Sequence, residues 1–250
     1  ALRRHGARVA LFDLAEPAGG VEALFEPAVD GPHAPRPDSL LFVQADVTRK
    51  ASLQAGLEQV TKHWDVPSGL INNAALDSPP GAPAEENGPF ETYPEASFDR
   101  VMEVNVKGVF LACQVLGGAM AREGRGSIIN IASTYGLVSP NQSIYEYRRQ
   151  RGETFFKPVA YAVSKSALLN LTRYLATYWA PRGVRVNTLT FGGVFNNQAP
   201  EFLEAYNAHV PLGRMAEEHE YNAAVVYLVS DASSYMTGSN MIIDGGWTAW

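Results

Sequence analysis

The chain has 250 residues, of which 46% are hydrophobic and 18% are charged, and its formal net charge is -6. This composition is typical of a globular protein with one large core, which excludes a mainly disordered chain. The negative charge argues against binding to nucleic acid. The single cysteine, Cys113, cannot form an internal disulfide, and no membrane span or signal peptide is recognised, so we expect a cytoplasmic protein.

Short apolar runs alternate with longer helical patterns along the chain. Continuous apolar runs are typical of strands that are covered on both faces, and their alternation with helices indicates a parallel sheet. We therefore expect an α/β fold with a doubly wound parallel sheet, similar to a Rossmann fold and flanked by helices. The predicted strands cover 8–13, 40–46, 69–73, 126–133, 184–189 and 240–244, and the predicted helices cover 52–63, 98–120, 161–179 and 217–230.

Two segments that follow predicted strands interrupt this alternation. Residues 76–96 are rich in proline, and residues 140–158 are polar and contain four basic side chains. Loops at the carboxyl ends of strands surround the ligand crevice in open α/β sheets. Both segments are therefore predicted to cover a substrate.

The strongest chemical signal is the sequence Tyr161-Ala162-Val163-Ser164-Lys165. A separation of four places Tyr161 and Lys165 on one helix face. A free tyrosine has a pKa of about 10, and a nearby ammonium lowers it, which would make the phenol usable as a base near neutral pH. An exposed helix face with an incidental tyrosine and lysine explains these five residues at least as well, so the interpretation depends on their context.

That context is a set of motifs in a fixed order. Asn72-Asn73-Ala74-Ala75 ends one predicted strand, Asn105 lies in the next helix and Ser133 ends the following strand. Tyr235-Met236-Thr237-Gly238 and Asp244-Gly245-Gly246 follow near the C-terminus. With these motifs, the chain resembles the short-chain dehydrogenase/reductase family from Gly6 to its end.

The resemblance implies an NAD(P)-dependent oxidoreductase that moves a hydride between the nicotinamide and a carbonyl or secondary alcohol. It assigns Tyr161 as the general acid/base, Lys165 as the group that lowers the pKa of Tyr161 and holds the ribose, Ser133 as the group that positions the reacting oxygen, and Asn105 as the holder of a relay water. It also implies that Asn73 supports the central strand, in addition to contacting the cofactor. The implied cofactor contacts are Asp46, Val47, Asn73, Ala74, Tyr161 and Lys165.

NAD is the expected cofactor, with NADP as the alternative. Asp13 ends a predicted strand, where a carboxylate can bind both ribose hydroxyls and repel a 2′-phosphate. An ordinary aspartate at a strand end is the other interpretation. No metal site is predicted, because the five histidines lack ligand spacing.

The sequence departs from the family at its start. The family's first strand and glycine-rich turn have no counterpart before Gly6. We therefore expect residues 1–250 to be a single, N-terminally truncated domain. The absent strand would lie between the strands around Leu11 and Ile71 and would leave backbone groups unpaired there, so we expect weak NAD binding and poor stability of these residues alone.

A second departure is the distance from Ser133 to Tyr161, which is 28 positions instead of the family's usual dozen or so. Tyr145 and Tyr147 are nearer, but arginines stand four positions after them, so Tyr161 is kept as the base and 140–158 is interpreted as an insertion. Arg148 and Arg149 are predicted to bind a phosphorylated or nucleotide-linked substrate there. A solvated loop is an equally open interpretation.

A narrower resemblance concerns residues 139–145 and the ending 246–250. Both resemble a branch of the family linked to bacterial flagellin and surface-sugar modification, which implies an amino-sugar or nucleotide-sugar substrate. Two alternatives stay open, a sugar-nucleotide epimerase or dehydratase and a non-catalytic binding or assembly subunit. The expected partners are a small-molecule substrate and identical subunits in a homodimer or homotetramer, with no nucleic acid and no membrane.

Overall fold

The computed structural model describes residues 1–21, 38–77 and 83–250. Strands form at all the predicted places and differ from the predictions only by a few residues at their ends. Residues 78–82 of the first predicted covering segment lie outside the described residues. The strands are β1 (Val9–Asp13), β2 (Leu40–Gln44), β3 (Gly69–Asn72), β4 (Gly126–Ser133), β5 (Val184–Phe191) and β6 (Asn240–Ile243).

The helices agree with the predicted pattern and add two short ones. They are α1 (Lys50–His63), α2 (Glu95–Glu123), α3 (Glu146–Gln150), α4 (Val159–Trp179), α5 (Pro200–Asn207) and α6 (Asn222–Val229). The helix predicted over 217–230 starts later, because residues 218–221 form a 3₁₀ turn that Glu217 and Glu220 cap. The sequence analysis missed α3 and α5, which are too short to show a clear helical period.

All strands are paired in parallel, which confirms the predicted α/β fold. Among the described residues, β1 pairs with β2 in one sheet, and a second sheet has the order β3-β4-β5-β6. In parallel sheets the carboxyl ends of the strands share one edge, so Asn72 and Ser133 lie along the same edge of the second sheet.

The hydrophobic core covers both faces of the larger sheet. Ile128 belongs to a cluster with side chains of α2 and α4, whereas its neighbour Ile129 belongs to a cluster with Leu228 of α6. This alternation follows from the two-residue period of a strand. Burial of each such side chain stabilises the fold by about 1.5–3 kcal/mol, so β4 is a rigid support for the residues at its end.

One helix, α2, is long and apolar enough to cross a membrane, with a mean hydropathy of 1.4. Within the described chain, however, 67% of its most apolar window is buried. Cys113 and Met120 of this helix belong to the same core cluster as Ile128. The apolar character of α2 is therefore explained by its position in the core.

Candidate active site

The turn after β4 places Ser133 against α4. Gly136 lies so close to this helix that a Cβ atom added to it would be 2.9 Å from the backbone C and O atoms of Lys165. A side chain at this position would push the turn away from α4. The close approach brings the Ser133 side chain near enough to Tyr161 to act on the pKa of the phenol, so two of the predicted catalytic hydroxyl groups come together.

Lys165 lies one helical turn beyond Tyr161 and is 4% exposed. Its Nζ donates a hydrogen bond to the carbonyl oxygen of Ile131 at 2.7 Å and lies 5.8 Å from the centroid of the Tyr161 ring. Burial lowers the pKa of Lys165 to about 8. Ser133, Tyr161 and Lys165 therefore come together at the carboxyl end of β4, as predicted.

One expectation about Tyr161 is not met in the chain by itself. Burial, and next the negative charge of Asp77, raises the pKa of Tyr161 to about 12, although the hydrogen bond with Ser133 acts in the opposite direction. Lys165 is not among the groups that shift the pKa of Tyr161 here, and its ammonium group donates to the carbonyl oxygen of Ile131. The side chains alone therefore do not make the phenol acidic.

Asn105 holds the loop after β3 against α4. It lies in a π-helical stretch of α2 (Glu103–Gly108), a local distortion that is frequent at functional sites. Its Nδ2 donates to Leu76 O at 2.8 Å and to Ser164 Oγ at 3.0 Å, and its Oδ1 accepts from Leu76 N at 2.6 Å. Asn105 thus positions the backbone beside Lys165, and its role in holding a water stays a prediction.

The residues predicted to contact the cofactor lie at or just after the ends of three strands. Asp13 is exposed, and its Oδ1 accepts from Leu14 N at 2.7 Å. Asp46 accepts from the side chain and backbone of Thr48, and these bonds keep its pKa below the usual value. Asn73 and Ala74 are exposed just after β3.

Val47, the remaining predicted cofactor contact, packs against α2. A Cβ atom added to Gly108 would lie 2.9 Å from Val47 Cγ2. Gly108 stands three positions after Asn105, so the turn after β2 contacts the same π-helical stretch that holds the loop after β3. The ends of β2 and β3 are thereby connected through α2.

In the structure, Asn72 supports the strand, whereas the resemblance gave this role to Asn73. Asn72 is buried, and its Nδ2 donates to Asn130 Oδ1 at 2.8 Å and to Cys113 Sγ at 3.3 Å. Asn130 in turn donates to Thr172 Oγ1 at 2.9 Å. Because successive strand residues point to opposite faces, Asn72 supports the sheet and Asn73 is left exposed; the period of β3 could have distinguished them.

The insertion uses its arginines for its own fold. Arg148 pairs with Glu153 and lies over the ring of Phe155, 4.0 Å from its centroid. Arg149 pairs with Glu146 and donates to the carbonyl oxygens of Phe155 and Gln142. Both arginines therefore make contacts within the insertion, and their predicted role in substrate binding stays a prediction.

Lys157 is the basic residue of the insertion that reaches the site. Its Nζ lies 5.0 Å from the centroid of the Tyr161 ring and donates to both carboxylate oxygens of Asp77, at 2.7 and 2.6 Å. Lys157 and Tyr135 also line an adjacent cavity of about 810 Å³. The sequence analysis did not single out Asp77 or Lys157 as site residues. Lys157 stands four positions before Tyr161, and this helical spacing could have indicated that the two side chains lie close together.

Comparisons with known proteins agree with this geometry. A family model described as Enoyl-(Acyl carrier protein) reductase matches residues 1–248. The chain is 31% identical to an NAD-dependent glycerol dehydrogenase of Listeria innocua, over 97% of this chain and 85% of the relative. It is 34% identical to a galactitol 2-dehydrogenase (L-tagatose-forming) of Cereibacter sphaeroides, over 83% of this chain and 76% of the relative.

The narrower resemblance also has a counterpart. The post-translational flagellin modification protein A of Campylobacter coli is 29% identical, over 83% of this chain and 78% of that protein. Among solved structures, a short chain dehydrogenase of Leptospira borgpetersenii with bound NAD+ has a TM-score of 0.76 at 29% identity, and the match covers 97% of this chain and 93% of that one. The chain belongs to the short-chain dehydrogenase/reductase family and is an NAD(P)-dependent oxidoreductase of the alcohol–carbonyl class.

Proposed function

We propose that this protein is a polyol dehydrogenase that oxidises one secondary alcohol group of a neutral sugar alcohol and reduces the corresponding ketone. The observation that carries the proposal is the grouping of Ser133, Tyr161 and Lys165 at the end of β4. The names of the glycerol and galactitol dehydrogenases support polyols as the substrate class.

Each catalytic side chain has a proposed task. Ser133 donates a hydrogen bond to the reacting oxygen, and Tyr161 takes up the alcohol proton during oxidation and returns it during reduction. Lys165 holds the cofactor's ribose, and its positive charge favours the phenolate when its bond to Ile131 is exchanged. Asn105 holds the loop that follows β3 against α4.

The residues at the strand ends fit a dinucleotide, which supplies the hydride acceptor or donor when bound. Asp13 has an exposed carboxylate suited to two ribose hydroxyls, whereas a 2′-phosphate would be repelled. Val47, Asn73 and Ala74 provide apolar and amide surface nearby, and Asp46 fixes the turn that carries Val47. We therefore propose NAD as the preferred cofactor.

A neutral substrate fits better than a phosphorylated or nucleotide-linked sugar. Arg148 and Arg149 are bonded within the insertion, and Lys157 is neutralised by Asp77. The segment 140–158 is proposed as a fixed wall that covers the substrate, because Arg151 also pairs with Glu201 of α5.

The proposed enzyme is a cytoplasmic homodimer or homotetramer. Three large side chains on α2 and α4, Phe110, Tyr174 and Tyr178, are 47%, 63% and 51% exposed. Exposed aromatic residues of this kind mark surfaces that associate. The mass measured by light scattering after size exclusion checks this, and a monomer at micromolar concentration would contradict it.

The function is tested by following the absorbance of the reduced nicotinamide with glycerol, galactitol and D-threitol, each with NAD+ and NADP+. We expect turnover with at least one polyol, and the Ser133→Ala variant is expected to lower kcat by roughly 100-fold or more, as when an oxyanion donor is removed. Ser234→Ala, at an exposed serine, is the matched control. Absence of any net redox change with all three polyols and both cofactors would contradict the proposal.

A further inference from the structure

The ion pair between Lys157 and Asp77 lies beside Tyr161, and the proposed function gives it no contact with the substrate. The two residues are 80 positions apart in the chain and are brought together from the start of α4 and the loop after β3. The Lys157 side chain is only 12% exposed, whereas that of Asp77 is 43% exposed. The carboxylate is therefore the more exposed member of the pair, and the ammonium keeps a small exposed fraction.

The insertion fixes Lys157 in this position. Its backbone N donates to Gln142 Oε1 at 2.8 Å, and its carbonyl oxygen accepts from Gln142 Nε2 at 3.1 Å. The preceding residue, Phe156, is bonded through its backbone N to Asn87 O at 2.8 Å. A flexible lysine side chain thus starts from a rigid backbone, which lowers the entropic cost of holding its ammonium in one place.

The negative charge of Asp77 acts on three tyrosines around the site. Burial raises the pKa values of Tyr135, Tyr145 and Tyr161, and the negative charge of Asp77 raises each of them further. These three tyrosines come from the turn after β4, the insertion and α4. The charge of one carboxylate therefore influences the pKa values of phenols from three different segments of the chain.

We propose that the Lys157–Asp77 ion pair is the specificity-determining element of the proposed dehydrogenase, and that it binds the hydroxyl group on the carbon next to the one that reacts. This inference rests on the proposed function. A hydroxyl group donates one hydrogen bond and accepts others. It can therefore donate to the exposed carboxylate of Asp77 and accept from the ammonium of Lys157 at the same time.

The charges of the pair explain why a neutral hydroxyl is preferred over an ionic group. An anionic substituent would gain the attraction of Lys157 but would meet the repulsion of Asp77, whose oxygens are 2.6 and 2.7 Å from the ammonium. A cationic substituent would gain the attraction of Asp77 but would meet the repulsion of Lys157. A hydroxyl group leaves the ion pair intact, so the buried ammonium keeps its counter-ion.

The test compares two neutral substrates that differ by one hydroxyl group, 2,3-butanediol and 2-butanol, with NAD+ as the acceptor. We expect the wild-type protein to prefer the diol in kcat/KM. In Asp77→Asn and in Lys157→Met this preference is expected to fall roughly 10- to 100-fold, because each variant removes a hydrogen bond to a charged group. The fall should appear mainly as an increase in KM for the diol.

Two exposed residues provide matched controls. Asp65→Asn removes an exposed carboxylate that pairs loosely with Arg8 at 3.5 Å, and Lys62→Met removes an exposed ammonium on α1. Both should retain the wild-type diol preference. The melting temperature of every variant shows whether it is folded. Lys157→Met keeps the more exposed member of the pair, Asp77, so it remains testable if Asp77→Asn fails to fold.

The outcomes separate this inference from the proposed function. If the wild-type protein oxidises neither the butane alcohols nor any polyol, the proposed function is wrong. If it oxidises them and both site variants keep the diol preference, only the inference is wrong. If 3-hydroxybutyrate is preferred over 2-butanol and Lys157→Met abolishes that preference, the ion pair binds an anion and the inference is overturned.

Discussion

Around Ser133, Tyr161 and Lys165 the chain provides its own packing and hydrogen bonds, whereas the predicted cofactor residues lie on exposed or half-buried strand ends. Seven of the eight residues of β4 are buried, and Lys165 is anchored to Ile131 within that strand. In β1 none of the five residues is buried, and Asp13 at its end is exposed.

This difference separates a region that is preorganised for chemistry from one that is a binding surface. Preorganised donors lower a reaction barrier because they need no reorientation during the reaction. A binding surface gains its order from the ligand. Variants around Tyr161 should therefore reduce turnover with either cofactor, and variants at the strand ends should change cofactor affinity and leave the fold of the catalytic region intact.

The largest effect is expected for Tyr161→Phe. Removal of the phenolic oxygen takes away the proton acceptor, and general acid–base catalysis contributes roughly 100- to 10,000-fold to a rate. We expect kcat to fall within this range with both NAD+ and NADP+. Steady-state kinetics measure it, and Tyr174→Phe, at a 63% exposed tyrosine of the same helix, is the control.

The melting temperature distinguishes a chemical effect from a structural one. The Tyr161 ring remains in the phenylalanine variant and only its hydroxyl group is lost, so the fold should change little. A variant that retains more than a tenth of the wild-type kcat would show that another group moves the proton. Tyr145, which is buried next to Tyr135, would then be the first candidate.

Gly136→Ala should damage the catalytic region through packing. The new methyl group would overlap with the backbone of Lys165, and overpacking of this kind costs roughly 1–3 kcal/mol. We expect a lower free energy of unfolding in urea and a reduced kcat, because the turn that carries Ser133 moves away from Tyr161. Gly118→Ala, in α2, is the control because its Cβ would have only an ordinary contact at 3.8 Å with Arg122; equal stability of both variants would contradict the prediction.

The strand positions and the placing of Tyr161 and Lys165 on one helix face could be predicted because both depend on local sequence. Apolar runs such as residues 126–133 define strands, and the spacing of Tyr161 and Lys165 is a property of one helix. The contact between Lys157 and Asp77 could not be predicted in this way, because it joins residues 80 positions apart.

The sequence also does not show which groups the charged side chains of the insertion contact. Arg148 and Arg149 have the composition of an anion site, but acidic and aromatic neighbours within the insertion occupy them. The direction of the pKa shift of Tyr161 was also beyond the reach of the local sequence pattern. Helical spacing gives the distance to Lys165 but not the burial of both groups, and burial determines the direction of both pKa shifts.

Asp13→Asn tests the cofactor side of the comparison. The amide no longer repels a 2′-phosphate and binds the ribose hydroxyls less well, so the preference for NAD+ over NADP+ in kcat/KM should fall roughly tenfold, which corresponds to about 1.4 kcal/mol. Because Asp13 is exposed, the melting temperature should not change. Asp65→Asn is the control, and an unchanged cofactor preference would indicate that Asp13 is an ordinary strand-end aspartate.

The smallest effect is a pH shift that connects the ion pair with the catalytic tyrosine. The groups that face Tyr161 are Ser133 from β4, Lys165 from α4, Lys157 before α4 and Asp77 after β3. A negative charge disfavours the phenolate, so Asp77 raises the pKa of Tyr161, and Asp77→Asn should lower it. Oxidation requires the phenolate, so kcat/KM for 2-butanol rises as pH rises through the pKa of Tyr161. In Asp77→Asn this rise should move to lower pH, so kcat/KM at each pH below the pKa should exceed the wild-type value. A pH profile from 6 to 10 in Asp65→Asn should match the wild type, and a shift to higher pH in Asp77→Asn would mean that Lys157, freed from its partner, no longer lies beside the phenol.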